Sequence, residues 1–222
     1  MEDNTQNRDS SQYDLTFKMI VIGDPGVGKS CLTGRALKNE FDQKYAPTIG
    51  FEFLTYNVNI QDKVIKLQIW DTCGQEMYRS LITNFYRNSS LAMMVYSIDS
   101  KESFEHINVW LKEVKVHSNP DIKIILIGNK CDLEEKRQVS YKEAKQFQEE
   151  NQLLYFEETS AKTGINTKEV FDKSAQILFK EHLKYKTRAQ NISFNDNYSE
   201  ASQNTVATKL VKVKTKRNSS CC

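Results

Sequence analysis

Two periods of apolar and polar positions succeed each other along this chain, and the switches between them mark its elements. Leu15 to Ile22 is apolar enough to predict a strand buried on both faces. Lys29 to Leu37 reads as a helix. Phe41 to Gly50 shows no period, and Pro47 biases its neighbour away from helix, so a loop is expected there. Phe51 to Ile60 and Val64 to Asp71 predict two strands, and the short gap Gln61-Asp62-Lys63 makes them an antiparallel hairpin. An irregular to helical stretch runs on to Arg87. Leu91 to Ile98 is a buried strand, and Glu102 to Val116 carries Phe104, Ile107, Trp110, Leu111 and Val114 at helical spacing. Ile122 to Ile127 is a further buried strand. Ser140, with Glu143 three residues on, opens a helix reaching Gln152. Leu153 to Phe156 is a short strand, and Thr167 to Leu183 closes the pattern as a long helix with Val170, Phe171, Ile177 and Leu178 turned inward.

Strands alternating with helices imply an α/β fold: a mostly parallel sheet covered on both faces, with ligands beyond the carboxyl ends of the strands. At 222 residues, 39% hydrophobic and 27% charged, the chain can bury one core and carry flexible ends. Gln190 to Thr208 is rich in Asn, Ser and Thr and is expected to be disordered. Seven Lys or Arg against Asp196 and Glu200 leave Lys186 to Cys222 at +5, so with +2 overall the remainder stands at −3. A charge-mediated partner meets the tail. Met1 to Gln12 is polar, unlike a secretory leader, and no apolar run approaches the roughly 18 residues that span a bilayer. A cytosolic protein is expected. Cys31, Cys73, Cys131, Cys221 and Cys222 lack paired metal-ligand spacing, and their odd number argues against a disulfide framework.

Gly23 to Ser30, G-D-P-G-V-G-K-S, joins the first strand to the first helix and fits G-x-x-x-x-G-K-[ST]. Glycines let successive N–H groups of such a turn face one anion, and the helix start adds its positive dipole end. Gly23, Asp24, Pro25, Gly26, Val27, Gly28, Lys29 and Ser30, with Cys31 behind them, form a candidate phosphate cradle. Lys29 reaches the β- and γ-phosphates, and Ser30 supplies a hydroxyl to Mg²⁺. The motif alone leaves ATPases, kinases and GTPases open. Four further segments choose among them. Asp71, closing a strand at D-T-C-G, can hold Mg²⁺ through water, and Gly74 can bring its N–H to the γ-phosphate. In Asn129-Lys130-Cys131-Asp132, the Asp132 carboxylate can accept from two adjacent guanine donors that adenine lacks; Lys130 lies along the base and Asn129 braces the cradle. In Ser160-Ala161-Lys162, the Ala161 N–H can donate to the guanine carbonyl.

On these residues the chain resembles a small Ras-like GTPase over about Tyr13 to Leu183. Ile49-Gly50-Phe51-Glu52-Phe53, Lys66-Leu67-Gln68-Ile69-Trp70, Phe85-Tyr86-Arg87 and the terminal Cys221-Cys222 resemble the Rab branch. The resemblance implies a Ras-like P-loop fold with a six-stranded sheet, one strand of it antiparallel. It divides the chain into a flexible N-terminus (1–13), a GTPase domain (14–185) and a tail (186–222). It implies a GTP/GDP-cycling, Mg²⁺-dependent switch that recruits effectors in vesicle traffic, at the cytosolic face of an endomembrane. Thr48 then ligates Mg²⁺, Gln75 orients the attacking water, and Phe41 stacks on guanine. Ile49 and the trio Phe53, Trp70 and Phe85 report nucleotide state to effectors, although plain core packing of the aromatics remains open. Geranylgeranyl chains on Cys221 and Cys222 anchor the tail, since two chains hold where one is marginal, and its basic stretch adds attraction to anionic lipid. The expected partners are an exchange factor, an activating protein, effectors, a prenylation escort and a GDP-dissociation inhibitor. No nucleic acid is expected, since the tail lacks interleaved aromatics, and the protein is expected to be a monomer.

Some positions depart from the family pattern. Pro25 removes one N–H from the cradle and fixes φ. Cys73 stands in place of the usual alanine, either as a small apolar substitute or as a thiol whose modification blocks the switch. Met77 replaces an arginine. Asn88 replaces a glycine and tolerates positive φ. Pro25 and Cys73 together keep a second reading in view, a GTP-binding module with little or no hydrolysis.

Overall fold

Leu15–Ile22 (β1) lies between two other strands, and its second half, Met19 to Ile22, is buried on both faces of the sheet they form. The computed structural model describes residues 13–41, 50–73 and 84–188. After β1 come Lys29–Lys38 (α1), Phe51–Ile60 (β2), Lys63–Thr72 (β3) and Leu91–Ser97 (β4). Lys101–Glu105 (α2), Ile107–His117 (α3), Lys123–Asn129 (β5), Tyr141–Glu150 (α4) and Tyr155–Glu158 (β6) follow. The strands form a six-stranded sheet in the order β2-β3-β1-β4-β5-β6. β2 runs antiparallel to β3, and the other neighbours are parallel. The carboxyl ends of β1, β3, β4, β5 and β6 therefore share one edge, and Gly23, Asp71, Asn129, Ser160 and Ala161 lie on or just beyond it.

The chain divides into two compact units, Met1–Leu178 and Phe179–Cys222. In the first, successive residues of a strand serve opposite faces. Ile20, Ile22, Met94 and Leu126 join Ile107, Trp110 and Val114 of α3 in one buried cluster. Their neighbours Met19, Val21, Met93, Val95, Ile125 and Ile127 are equally buried, as are Leu32, Val170 and Phe171. Each large side chain buried in this way stabilises by roughly 1.5–3 kcal/mol. The Tyr56 hydroxyl on β2 donates to Asp172, 2.5 Å away, and its ring meets that of Phe171. Residues 167–178 are helical in this unit, and in the second unit 179–188 are helical past the expected end at Leu183. The expected disordered tail lies outside the described residues.

Several boundaries differ from expectation for physical reasons. Lys63 pairs with Ile60, which leaves only Gln61 and Asp62 in the hairpin turn, both at positive φ (47° and 27°). Such a two-residue turn matches the twist of the strands. The helix expected over Glu102 to Val116 is interrupted at His106. β6 starts at Tyr155 because the Leu153 N–H closes α4 on the Gln148 carbonyl. Ser140 caps α4 as expected, accepting from the Glu143 N–H, and Asn88 takes φ of 61°.

Candidate functional site

The cradle closes on two glycines that no other residue could replace. A Cβ on Gly23 (φ 142°) would sit 2.0 Å from the Val95 carbonyl oxygen, and one on Gly28 (φ 92°) would sit 2.5 Å from Asn129 Nδ2. Gly28 is also the N-cap of α1, which has no side-chain cap and no acidic residue in its first turn. Its leading N–H groups and positive dipole end are left for an anion.

Lys29 lies inside this turn, its ammonium donating to the Gly23 and Asp24 carbonyls at 2.8 Å each. It is 5% exposed, and burial draws it down to about 8, against the attraction of Asp71 and Asp24. Asp71, at the end of β3, is fully buried, and burial pushes its carboxyl up to about 6, against the Ser30 hydroxyl, Lys29 and Thr33. For both groups desolvation outweighs their mutual attraction. Thr33 Oγ1 is 3.4 Å from Asp71 Oδ2, whereas Asp71 Oδ1 is buried with no hydrogen-bond partner. Among the described residues no three His, Cys, Asp or Glu side chains cluster to hold a metal. The donors around Asp71 are hard oxygens, and its orphaned oxygen suits a hard divalent cation or that cation's water.

The far end of the site is held by Asn129, at 1% exposure. Its Nδ2 donates to the Val27 and Gly28 carbonyls (2.9 and 3.3 Å), while Oδ1 accepts from Thr159 Oγ1 (3.1 Å) and the Ala161 N–H (3.3 Å). One side chain thus joins the cradle to the loop after β6. Lys130 follows at φ 64°, its ammonium 3.9 Å from Asp99. Asp132 accepts from Ser160 Oγ at 2.6 Å and lies 3.9 Å from the Lys162 ammonium. Asn129, Asp132, Ser160, Ala161 and Lys162 are therefore linked to one another and, through Asn129, to the cradle.

The Ras family model matches residues 18–180. The chain belongs to the Ras family, in its Rab branch. It is 48% identical to Ras-related protein Rab-2B of Dictyostelium discoideum over 179 residues, covering 79% of this chain and 86% of that protein. It is 45% identical to Ras-related protein RABA1c of Arabidopsis thaliana, with 79% of each chain covered, and 45% identical to Rab-4B of Rattus norvegicus, covering 75% of this chain and 78% of that protein. As a Rab-branch small GTPase the chain binds GTP and GDP and is a GTP hydrolase.

This Rab-branch GTPase also contains site residues that no motif announced. Thr159 and Thr33 are isolated hydroxyls, fully buried, which orient Asn129 and approach Asp71. Trp110 was legible as core, yet its indole N–H also reaches the Asp24 carboxylate. The aromatic trio is neither buried core nor free surface. Phe53 packs on Trp70 (centroids 5.1 Å apart) and Trp70 on Phe85 (4.9 Å), with Phe53 45% exposed. Phe51, 47% exposed, adds a fourth ring, 4.6 Å from Phe85. Only its place in the alternation of β2 could have signalled this. Cys73 is buried, its N–H donating to the Gly50 carbonyl, and Cys31 and Phe41 are half-buried at the start and just past the end of α1. Thr48, Ile49, Gly74, Gln75, Met77, Cys221 and Cys222 lie outside the described residues.

Proposed function

We propose that this chain is a Mg²⁺-dependent GTP/GDP switch whose cradle, Gly23 to Cys31, holds the phosphates while Asn129, Lys130, Asp132, Ser160, Ala161, Lys162 and Phe41 hold the guanosine. The observation that carries this is the pair of buried charges Lys29 and Asp71 at the mouth of the cradle, with Asp71 Oδ1 unpartnered. Lys29 meets the β- and γ-phosphate oxygens. Ser30, Thr48 and Asp71 would hold Mg²⁺, which would supply positive charge to the phosphates. Gln75 orients a water toward the γ-phosphorus. That water bonds to phosphorus and gives up a proton as the bond to the β–γ bridging oxygen breaks, leaving GDP and inorganic phosphate. Loss of the γ-phosphate releases the segments around Thr48 and Gly74, which is the switch.

Within the Rab branch, residues 14–185 act as the GTPase domain, and the half-exposed rings around Trp70, with Ile49, present nucleotide state to effectors. The tail carries lipid on Cys221 and Cys222 and meets the cytosolic face of an endomembrane of the secretory or endosomal system. An exchange factor, an activating protein, a prenylation escort and a GDP-dissociation inhibitor complete the cycle. Single-turnover GTP hydrolysis with and without a Rab activating protein tests the mechanism. Wild type should turn over slowly alone and at least about 10³-fold faster with the activator. Gln75→Leu should stay in the GTP form under both conditions. Unchanged stimulated turnover in that variant removes Gln75 from the chemistry, and wild-type protein that retains GTP despite the activator is a binding module without a useful cycle.

A further inference from the structure

The phosphate cradle is held by α3 through the side chain of Asp24. Trp110 Nε1 donates to Asp24 Oδ1 at 2.8 Å, and His106 Nδ1 lies 2.6 Å from Asp24 Oδ2. The Asp24 carboxylate is largely buried, at 16% exposure, with the imidazole half exposed beside it. The same residue's backbone carbonyl accepts from the Lys29 ammonium. Asp24 therefore couples α3 to the cation of the cradle. The helix break delivers this geometry: His106 is the N-cap of α3, and its carbonyl accepts from the Val109 and Trp110 N–H groups. Four residues apart, His106 and Trp110 stand one above the other on a single face of the helix.

We propose that His106 is a positioning residue for the phosphate loop, a titratable jaw that closes on Asp24 when protonated and slows release of the nucleotide; this rests on the reading of the loop as the nucleotide cradle. The two jaws differ in kind. An indole N–H donates at every pH, whereas an imidazole makes an ion pair only as the cation, and once neutral it donates from Nδ1 in one tautomer only. Asp24 of the loop, Glu102 of α2, Asp99 after β4 and Lys130 after β5 line a cleft of about 520 Å³ together with His106. Among the described residues, three carboxylates and one ammonium line it, and that ammonium is 3.9 Å from Asp99. Pro25 follows Asp24 directly, and its fixed φ removes one soft torsion between the clamped residue and Gly26. Loosening Asp24 is then transmitted to the N–H groups that face the phosphates.

The test is release of fluorescent GDP from the full chain, in excess Mg²⁺, at several pH values from 5.5 to 8.5. At each pH the variants His106→Ala, His106→Gln and His106→Lys are compared with wild type, which cancels titration of groups common to all. His106→Ala and His106→Gln should release GDP roughly five-fold faster than wild type near pH 6, the gap closing toward pH 8.5 as the wild-type imidazole loses its proton. His106→Lys, a permanent cation, should restore slow release and keep it slow at pH 8.5. A ratio constant across pH, or no rescue by lysine, overturns the clamp, since a merely structural role would not follow the imidazole. Wild-type protein that binds no guanine nucleotide at any pH overturns the reading of the cradle itself, so the two failures are distinct.

Discussion

The base end and the phosphate end of this site are built on opposite terms. At the base end the protein satisfies itself: both donor and acceptor atoms of Asn129 are engaged, Ser160 meets Asp132, and Thr159 completes the network. At the phosphate end a fully buried carboxylate keeps an unpartnered oxygen, and a buried lysine is drawn toward neutrality. Buried polar groups are normally paired, so a half-satisfied end carries a cost that only a ligand relieves. On the proposed reading, the guanine-binding end is thus preformed in the protein, while the phosphate end waits for its counter-charges. A switch needs this division, because only the phosphate end changes between GTP and GDP.

Ways to break the contrast follow from it. The largest effect is expected at the base end. Asp132→Asn replaces an acceptor with a donor against two guanine N–H groups and forfeits about 3 kcal/mol, or roughly 100-fold in GDP affinity, measurable by competition with fluorescent GDP. The same change should hardly alter melting of the nucleotide-free protein. Asn129→Ala does the reverse. It leaves Thr159, the Ala161 N–H and two cradle carbonyls without their partner, at about 3 kcal/mol of stability, and should lower the melting temperature by roughly 10 °C even without nucleotide. If Asn129→Ala melts like wild type, the base end is not prewired.

The candidate site was legible wherever it is local in sequence. Gly23 to Ser30 and Asn129 to Asp132 each place several of its proposed groups within one short segment, so their spacing points to it. The sheet was legible because β1, β4 and β5 carry the apolar runs Met19 to Ile22, Leu91 to Val95 and Ile124 to Ile127 and β2 alternates. What escaped depends on distance or on a shared pattern. Asp24 and Trp110 meet across 86 positions, and the period Phe104, Ile107, Trp110, Leu111, Val114 runs straight through the break at His106, where helical φ and ψ demand no Gly or Pro. Leu153 and Leu154 look like the start of a strand, but the first is spent on closing α4. Phe51 shares the face of Phe53 in the alternation of β2, but no motif marks it as a fourth ring beside Trp70.

The phosphate end yields the smaller effect and the more direct test. Burial holds the Lys29 ammonium down to about 8 from an ordinary 10.5. Between those values the unfolded chain binds a proton that the free folded chain does not, so this group makes the nucleotide-free protein more stable as pH rises from 8 to 10.5. Phosphates brought against Lys29 favour its charged form, and binding must then take up protons. Calorimetry of GDP binding at pH 8.5, in two buffers of different ionisation enthalpy, measures that uptake. The account predicts roughly half to three-quarters of a proton taken up per GDP, abolished in Lys29→Gln if that variant still binds. Binding enthalpies that do not depend on the buffer at pH 8.5 would contradict a cradle whose buried cation is completed by the nucleotide.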